Sequence, residues 1–151
     1  MPNPSRTVVL LPSAARTTTG TGSAVVNIEG YTSAIIRLEV TTATGTSPTW
    51  NVRIQQGILV ENGATNIGET PPAGASINWD DFASFAQVTA TGNTRFLRIT
   101  GGSNVEAAAS ANALAAATVR NGPLGSLWRV VWTIGGTNPN FTGDVVAQLI
   151  P

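Results

Sequence analysis

The chain has 151 residues, with eight basic and eight acidic side chains and no formal net charge. At that length a single hydrophobic core suffices without disulfide or metal, and an apolar fraction of 42% excludes a disordered polymer. Only 11% of residues are charged and every cation is an arginine; with about 25% usual, this excludes the basic field of a nucleic-acid binder.

The first six residues, Met1 to Arg6, hold two prolines and read as an extended arm, which makes Pro2, Asn3, Pro4 and Arg6 interface candidates. Thr7–Leu11 follows as a strand, its apolar stretch too short for a secretory leader. Ser23–Ile28 is a second strand candidate. In Ala34–Thr42 the residues Ile36, Leu38 and Val40 share one face while Arg37 and Glu39 share the other, the period of a half-buried strand. Thr49–Gln55 repeats the alternation with Trp50, Val52 and Ile54 inward. Gly57–Ser76 is rich in Gly, Pro, Asn and Thr and reads as a long loop.

Beyond it, Trp79 stands before the adjacent acids Asp80 and Asp81. Phe82–Ala90 and Arg95–Thr100 are strand candidates, the second with Leu97 and Ile99 opposite Phe96 and Arg98. Residues 101–124 form a second insertion, whose core, Val105–Val119, is nearly all alanine. Alanine favours helix, but this run has almost no amphipathic face, so short helix and extended projection both stay open. Val105 and Leu114 mark it as an interaction candidate. Leu127–Ile134 alternates again, with Trp128, Val130, Trp132 and Ile134 on one face, and Phe141–Ile150 closes the chain.

Gly45-Thr46-Ser47-Pro48-Thr49-Trp50 and Gly136-Thr137-Asn138-Pro139-Asn140-Phe141 share one pattern, each between two alternating runs. Proline lacks a donor and belongs in a loop or at a strand's start, so the repeat predicts two equivalent long hairpins. Together these signals predict one all-β domain over residues 1–151, a β-sandwich or jelly roll of about eight strands with two long insertions.

The chain contains no His, Cys or Lys. It therefore lacks the usual general base, the thiol nucleophile and the Schiff-base amine, and no Ser-His-Asp triad can be built. No phosphate-cradling motif is present and no apolar run reaches the roughly 20 residues of a membrane helix. The expectation is a non-enzyme with no cofactor, no metal, no membrane and no nucleic acid. Asp80-Asp81 could serve a calcium site or a carboxylate couple, but strand neighbours face opposite sides, and turn closure in a loop is the favoured reading. Trp50, Trp128 and Trp132 sit on apolar strand faces and belong in the core; Trp79, at the end of a polar loop, is expected to be exposed or interfacial.

The run Val9-Leu10-Leu11-Pro12-Ser13-Ala14-Ala15-Arg16-Thr17, the stretch from Ala43 to Gln55, Phe85-Ala86-Gln87-Val88 and the stretch from Leu127 to Thr142 resemble small structural proteins of tailed bacteriophages. More narrowly, the chain resembles the capsid decoration (cement) proteins of siphoviruses that infect thermophilic bacteria. The resemblance implies a β-rich homotrimer on the outer surface of the virion capsid. Its partner would be the major capsid protein, whose neighbouring capsomers it clamps, and it would be made in the bacterial cytoplasm. It excludes the two insertions. Another virion part (tail-tube, head-completion or fibre-associated) is the nearest alternative, and a carbohydrate-binding module using Trp79, Asp80 and Asp81 is a more distant one.

Overall fold

The computed structural model describes residues 4–25, 30–59, 77–100, 114–122, 124–125 and 127–151. Its elements are all strands: β1 (Arg6–Arg16), β2 (Gly20–Thr21), β3 (Ser33–Leu59), β4 (Ile77–Ser84), β5 (Asn93–Thr100), β6 (Thr118–Val119) and β7 (Leu127–Ile150). All pairings are antiparallel.

The two predicted hairpins are absent. Each G-T-x-P motif lies inside one long strand, β3 or β7, and the two motifs face each other, with Thr46 opposite Thr137. Gly45 and Gly136 have φ of 112° and 106°, and Ser47 and Asn138 have φ of 49° and 48°. These left-handed residues bend both strands at the same place. The ladder shifts register between Thr44 and Thr46, opposite Pro139, and again between Thr46 and Thr49, at Pro48, so neither proline forfeits a regular bond there. Turn chemistry has produced a kink in a two-stranded ribbon.

The kink divides the ribbon into two arms. In the first, residues 33–44 pair with 140–150; β1 adds outside β7 and β5 adds outside β3. In the second, residues 49–57 pair with 127–135; β2 adds to β7, β4 adds to β3, and β6 adds to β4. The inward faces of both arms feed one core, in which Ile36, Leu38, Val145 and Leu149 join Trp50, Ile54, Phe82, Trp128 and Val130. The result is a sandwich-like all-β fold. Among the described residues it has seven strands where about eight were expected: four predicted runs merge into β3 and β7, Ser23–Ile28 contributes only the bridge of Val25 to Trp128, and the two-residue strands β2 and β6 are added.

An approximate two-fold relation runs through the kink. Arg16 opposes Phe141, and correspondingly Val88 opposes Trp50. Thr19 Oγ1 accepts the Ile134 N–H at 3.0 Å, and Thr91 Oγ1 accepts the Ala43 N–H at 3.0 Å. On the axis, Trp50 and Phe141 pack with ring centroids 5.4 Å apart. Two units, β1-β2-β3 and β4-β5-β7, each consist of two shorter strands and one long kinked strand. The shorter strands of each unit pair with the long strand of the other.

A Cβ built on Gly45 would lie 2.7 Å from the Asn138 carbonyl oxygen, and one on Gly136 would lie 2.7 Å from that of Ser47. Gly45→Ala and Gly136→Ala are therefore each expected to cost about 3 kcal/mol, by steric clash added to backbone strain. The two losses should be nearly equal. At Gly92, with φ of 77° and nothing within 4 Å of a Cβ, alanine should cost only about 1 kcal/mol. Urea midpoints at constant slope measure all three.

Candidate interaction site

Trp79 and Leu114, far apart in sequence, are the two ends of one chain of contacts on the outward face of the second arm. Trp79 lies in β4 opposite Gly57 of β3. A Cβ at Gly57 would stand 2.9 Å from the indole ring, so glycine is what lets the ring lie close over β3. On the other side of β3, Arg129 of β7 meets that ring, its guanidinium carbon 3.9 Å from the centroid. This is a cation–π contact that covers one face of Trp79. Trp79 is half-buried and lies in a strand, not at the end of a loop.

From Arg129 a polar chain runs inward. Its Nε donates to Gln55 Oε1 at 2.8 Å, and Gln55 Nε2 donates to Asp81 Oδ1 at 2.7 Å. The Leu114 N–H then donates to Asp81 Oδ2 at 3.1 Å. Gln55 and Asp81 are both fully buried, although their strand positions face outward. Each buried polar atom named here meets a partner of the opposite character, the condition under which such a network holds. Burial pushes the Arg129 guanidinium below its usual pKa, and the charge of Asp81 works in the opposite direction.

A bulge positions Asp81. The ladder steps from Ile54↔Ala83 to Gln55↔Asp81, leaving Phe82 as the extra residue. Phe82 turns into the core against Trp128, with centroids 4.7 Å apart, while Asp81 turns to the outer face. Asp80 pairs with Arg120, Oδ1 to Nη1, at 2.9 Å. The two acids thus belong to a strand, which corrects the turn reading; their divergence is what strand geometry requires. Both fasten the far end of the second insertion, Asp81 through Leu114 and Asp80 through Arg120. Residues 115–117 of the alanine run are exposed and lead through a turn into β6; residues 105–113 of that run lie outside the described residues.

Of the other sequence candidates, Arg6 opens β1 opposite Leu149 and Pro4 is exposed. Pro2, Asn3 and Val105 lie outside the described residues. Among the described residues no group of three or more His, Cys, Asp or Glu could hold a metal ion. Arg129 covers one face of the Trp79 ring, and both aspartates are engaged within the fold. Gln55, Gly57 and Arg129 went unnoticed in the sequence: alternation marks Gln55 and Arg129 as ordinary outward positions, and Gly57 opens what reads as the long loop, whereas β3 continues through it to Leu59.

Asp81→Ala would strand Gln55 Nε2 and the Leu114 N–H in a buried place, at an expected cost of about 3 kcal/mol. Hydrogen exchange at the Leu114 amide should accelerate in this variant well beyond the global loss. An unchanged Leu114 rate would show that Asp81 is not its anchor. No protein-family model, curated protein or solved structure matches this chain.

Proposed function

We propose that the chain is a virion structural protein that binds the outer surface of an assembled phage capsid as an oligomer, a trimer by its resemblance, and stabilises the shell by clamping neighbouring capsomers. The observation that carries this reading is that the described carboxylates are all engaged inside the fold. Glu39 and Asp144 pair with Arg37, at 2.9 and 2.8 Å, Asp80 with Arg120, and Asp81 with Gln55. In a chain without His, Cys or Lys, carboxylates are the side chains left for acid–base work; Glu29, Glu61, Glu69 and Glu106 lie outside the described residues.

What remains at the surface of the kink is uncharged: Thr44, Thr46, Ser47, Thr137 and Asn138 are all exposed. Such a surface suits contact with another protein more than solitary solubility. An oligomer repeated over a shell gains avidity from many weak contacts. A ligand of the assembled lattice stabilises it by mass action over free subunits.

The test uses the major capsid protein encoded in the same genome. The purified chain should co-sediment with assembled shells, fail to bind unassembled subunits, and raise the temperature at which the shells fall apart. Absence of binding to intact shells sinks the reading. Deleting residues 1–5, which spares the first residue of β1, is expected to weaken shell binding by about tenfold, or 1.4 kcal/mol, with the unfolding midpoint unchanged. Undiminished binding would remove the arm from the contact.

A further inference from the structure

The outer strands differ in how their free edges are protected. On β1, Pro12, two register shifts and Arg16 disrupt the edge; the Arg16 guanidinium donates to the carbonyls of Pro12 and Ala14, at 2.6 and 2.8 Å. On β4, the edge is paired by β6 and closed by the Arg120 N–H on the Phe82 carbonyl at 2.8 Å. β2 is two residues long. On β5, among the described residues, only the last residue is closed: the Thr100 N–H donates to Asn121 Oδ1 at 3.1 Å, and its carbonyl accepts the Gly122 N–H at 3.1 Å.

Those two bonds also fix the phase of the strand. Thr100 turns its backbone groups away from β3. In an antiparallel ladder the direction alternates residue by residue, so Thr94, Phe96 and Arg98 do the same. Their side chains are exposed, with Phe96 at 55%. The stretch has no proline, no lysine and no bulge, and such edges invite another strand.

We propose that β5 is a self-association edge at which two copies of this chain pair antiparallel about a two-fold axis through Phe96. The strand is complementary to itself. With Phe96 on the axis, the outward backbone groups of Thr94, Phe96 and Arg98 meet those of Arg98, Phe96 and Thr94 of the second copy. All three positions then form hydrogen-bonded pairs. The phenylalanines become cross-strand neighbours, a favourable pair.

Charge agrees with this register. Glu39 is the β3 neighbour of Thr94 on the same face. Arg98 would therefore lie two strands, about 10 Å in backbone distance, from Glu39 of the second copy. Extended arginine and glutamate side chains cover that span. The contact is isologous and closes on itself, so it yields a pair and not a fibre. It goes beyond the capsid reading and does not depend on it; in a trimer that uses another surface, it would join one trimer to the next.

Sedimentation equilibrium of the full chain, wild type and variants, tests the proposal. Wild type should show a concentration-dependent mass of two copies, or of six if trimers also form. Phe96→Lys places like charges on the axis and should weaken the association by at least about tenfold. Phe96→Pro removes an outward N–H without touching the β3 ladder and should act similarly. Both variants should keep the wild-type far-ultraviolet spectrum and, at concentrations where wild type is dissociated, its unfolding midpoint. Hydrogen exchange should slow with concentration at Thr94, Phe96 and Arg98 and stay constant at Arg95 and Leu97. A mass fixed at one or three copies, a Phe96→Lys variant that associates like wild type, or exchange without that alternation overturns the proposal.

Discussion

β3 and β7 lie against each other from Ser33↔Ile150 to Gly57↔Leu127, and β1, β2, β4 and β5 all attach to one of these two. A ribbon this long could not bury its apolar side alone, since two strands have no second layer. The kink supplies one. By reversing the hand of a few backbone residues on both strands at once, it brings the inward residues of one arm over those of the other. Trp50 and Phe141 meet beside it, and the core extends outward from their contact. Symmetry makes this economical: each glycine would strike the carbonyl opposite if it carried a side chain, so either strand's bend requires the other's.

The second arm departs from symmetry where it matters for interaction. Its outer face carries a buried aspartate and glutamine, and the first arm has the exposed Val9 and Phe96 on the corresponding side. A buried carboxylate is costly unless it is well supplied with donors, and here the donors are a glutamine amide and a backbone N–H that returns from the alanine-rich insertion. The network joins three strands to that returning segment. Arg129 completes it by neutralising charge on one side and covering an aromatic ring on the other, a combination that lysine performs less well.

Much of this fold was legible in the sequence. Alternation placed Ile36, Leu38, Val40, Val52 and Ile54 inside and their neighbours outside, because side-chain direction in a strand has a period of two whatever the topology. Continuity of strands was not legible. Gly-Thr-Ser-Pro carries the same local signals whether the chain reverses or merely bends; the difference lies in what opposes it, the second motif, from Thr46 to Thr137 along the chain. The duplication was visible only as a six-residue match, since flanking positions keep their burial and change their identity, as with Ile36 and Trp128. Of the site, Trp79 and Leu114 were noticed, but the chain of contacts that links them depends on the absent side chain of Gly57 and on the Phe82 bulge. Alternation rules cannot foresee a bulge, because it breaks them.

The interlocking of the two units has a kinetic consequence. β1 finds its partners in residues 141–149, at the opposite end of the chain, and the first arm of β3 pairs with that same stretch. Few contacts are local, the topology that folds slowly. During synthesis the N-terminal unit would leave the ribosome with both of its long faces unmatched and wait for nearly the whole remaining chain. That wait exposes apolar strand edges in the intermediate state most prone to aggregate. A chain poor in charge has little repulsion to protect it then, so its yield should depend on the speed of translation and on holdase chaperones more than its final stability would suggest.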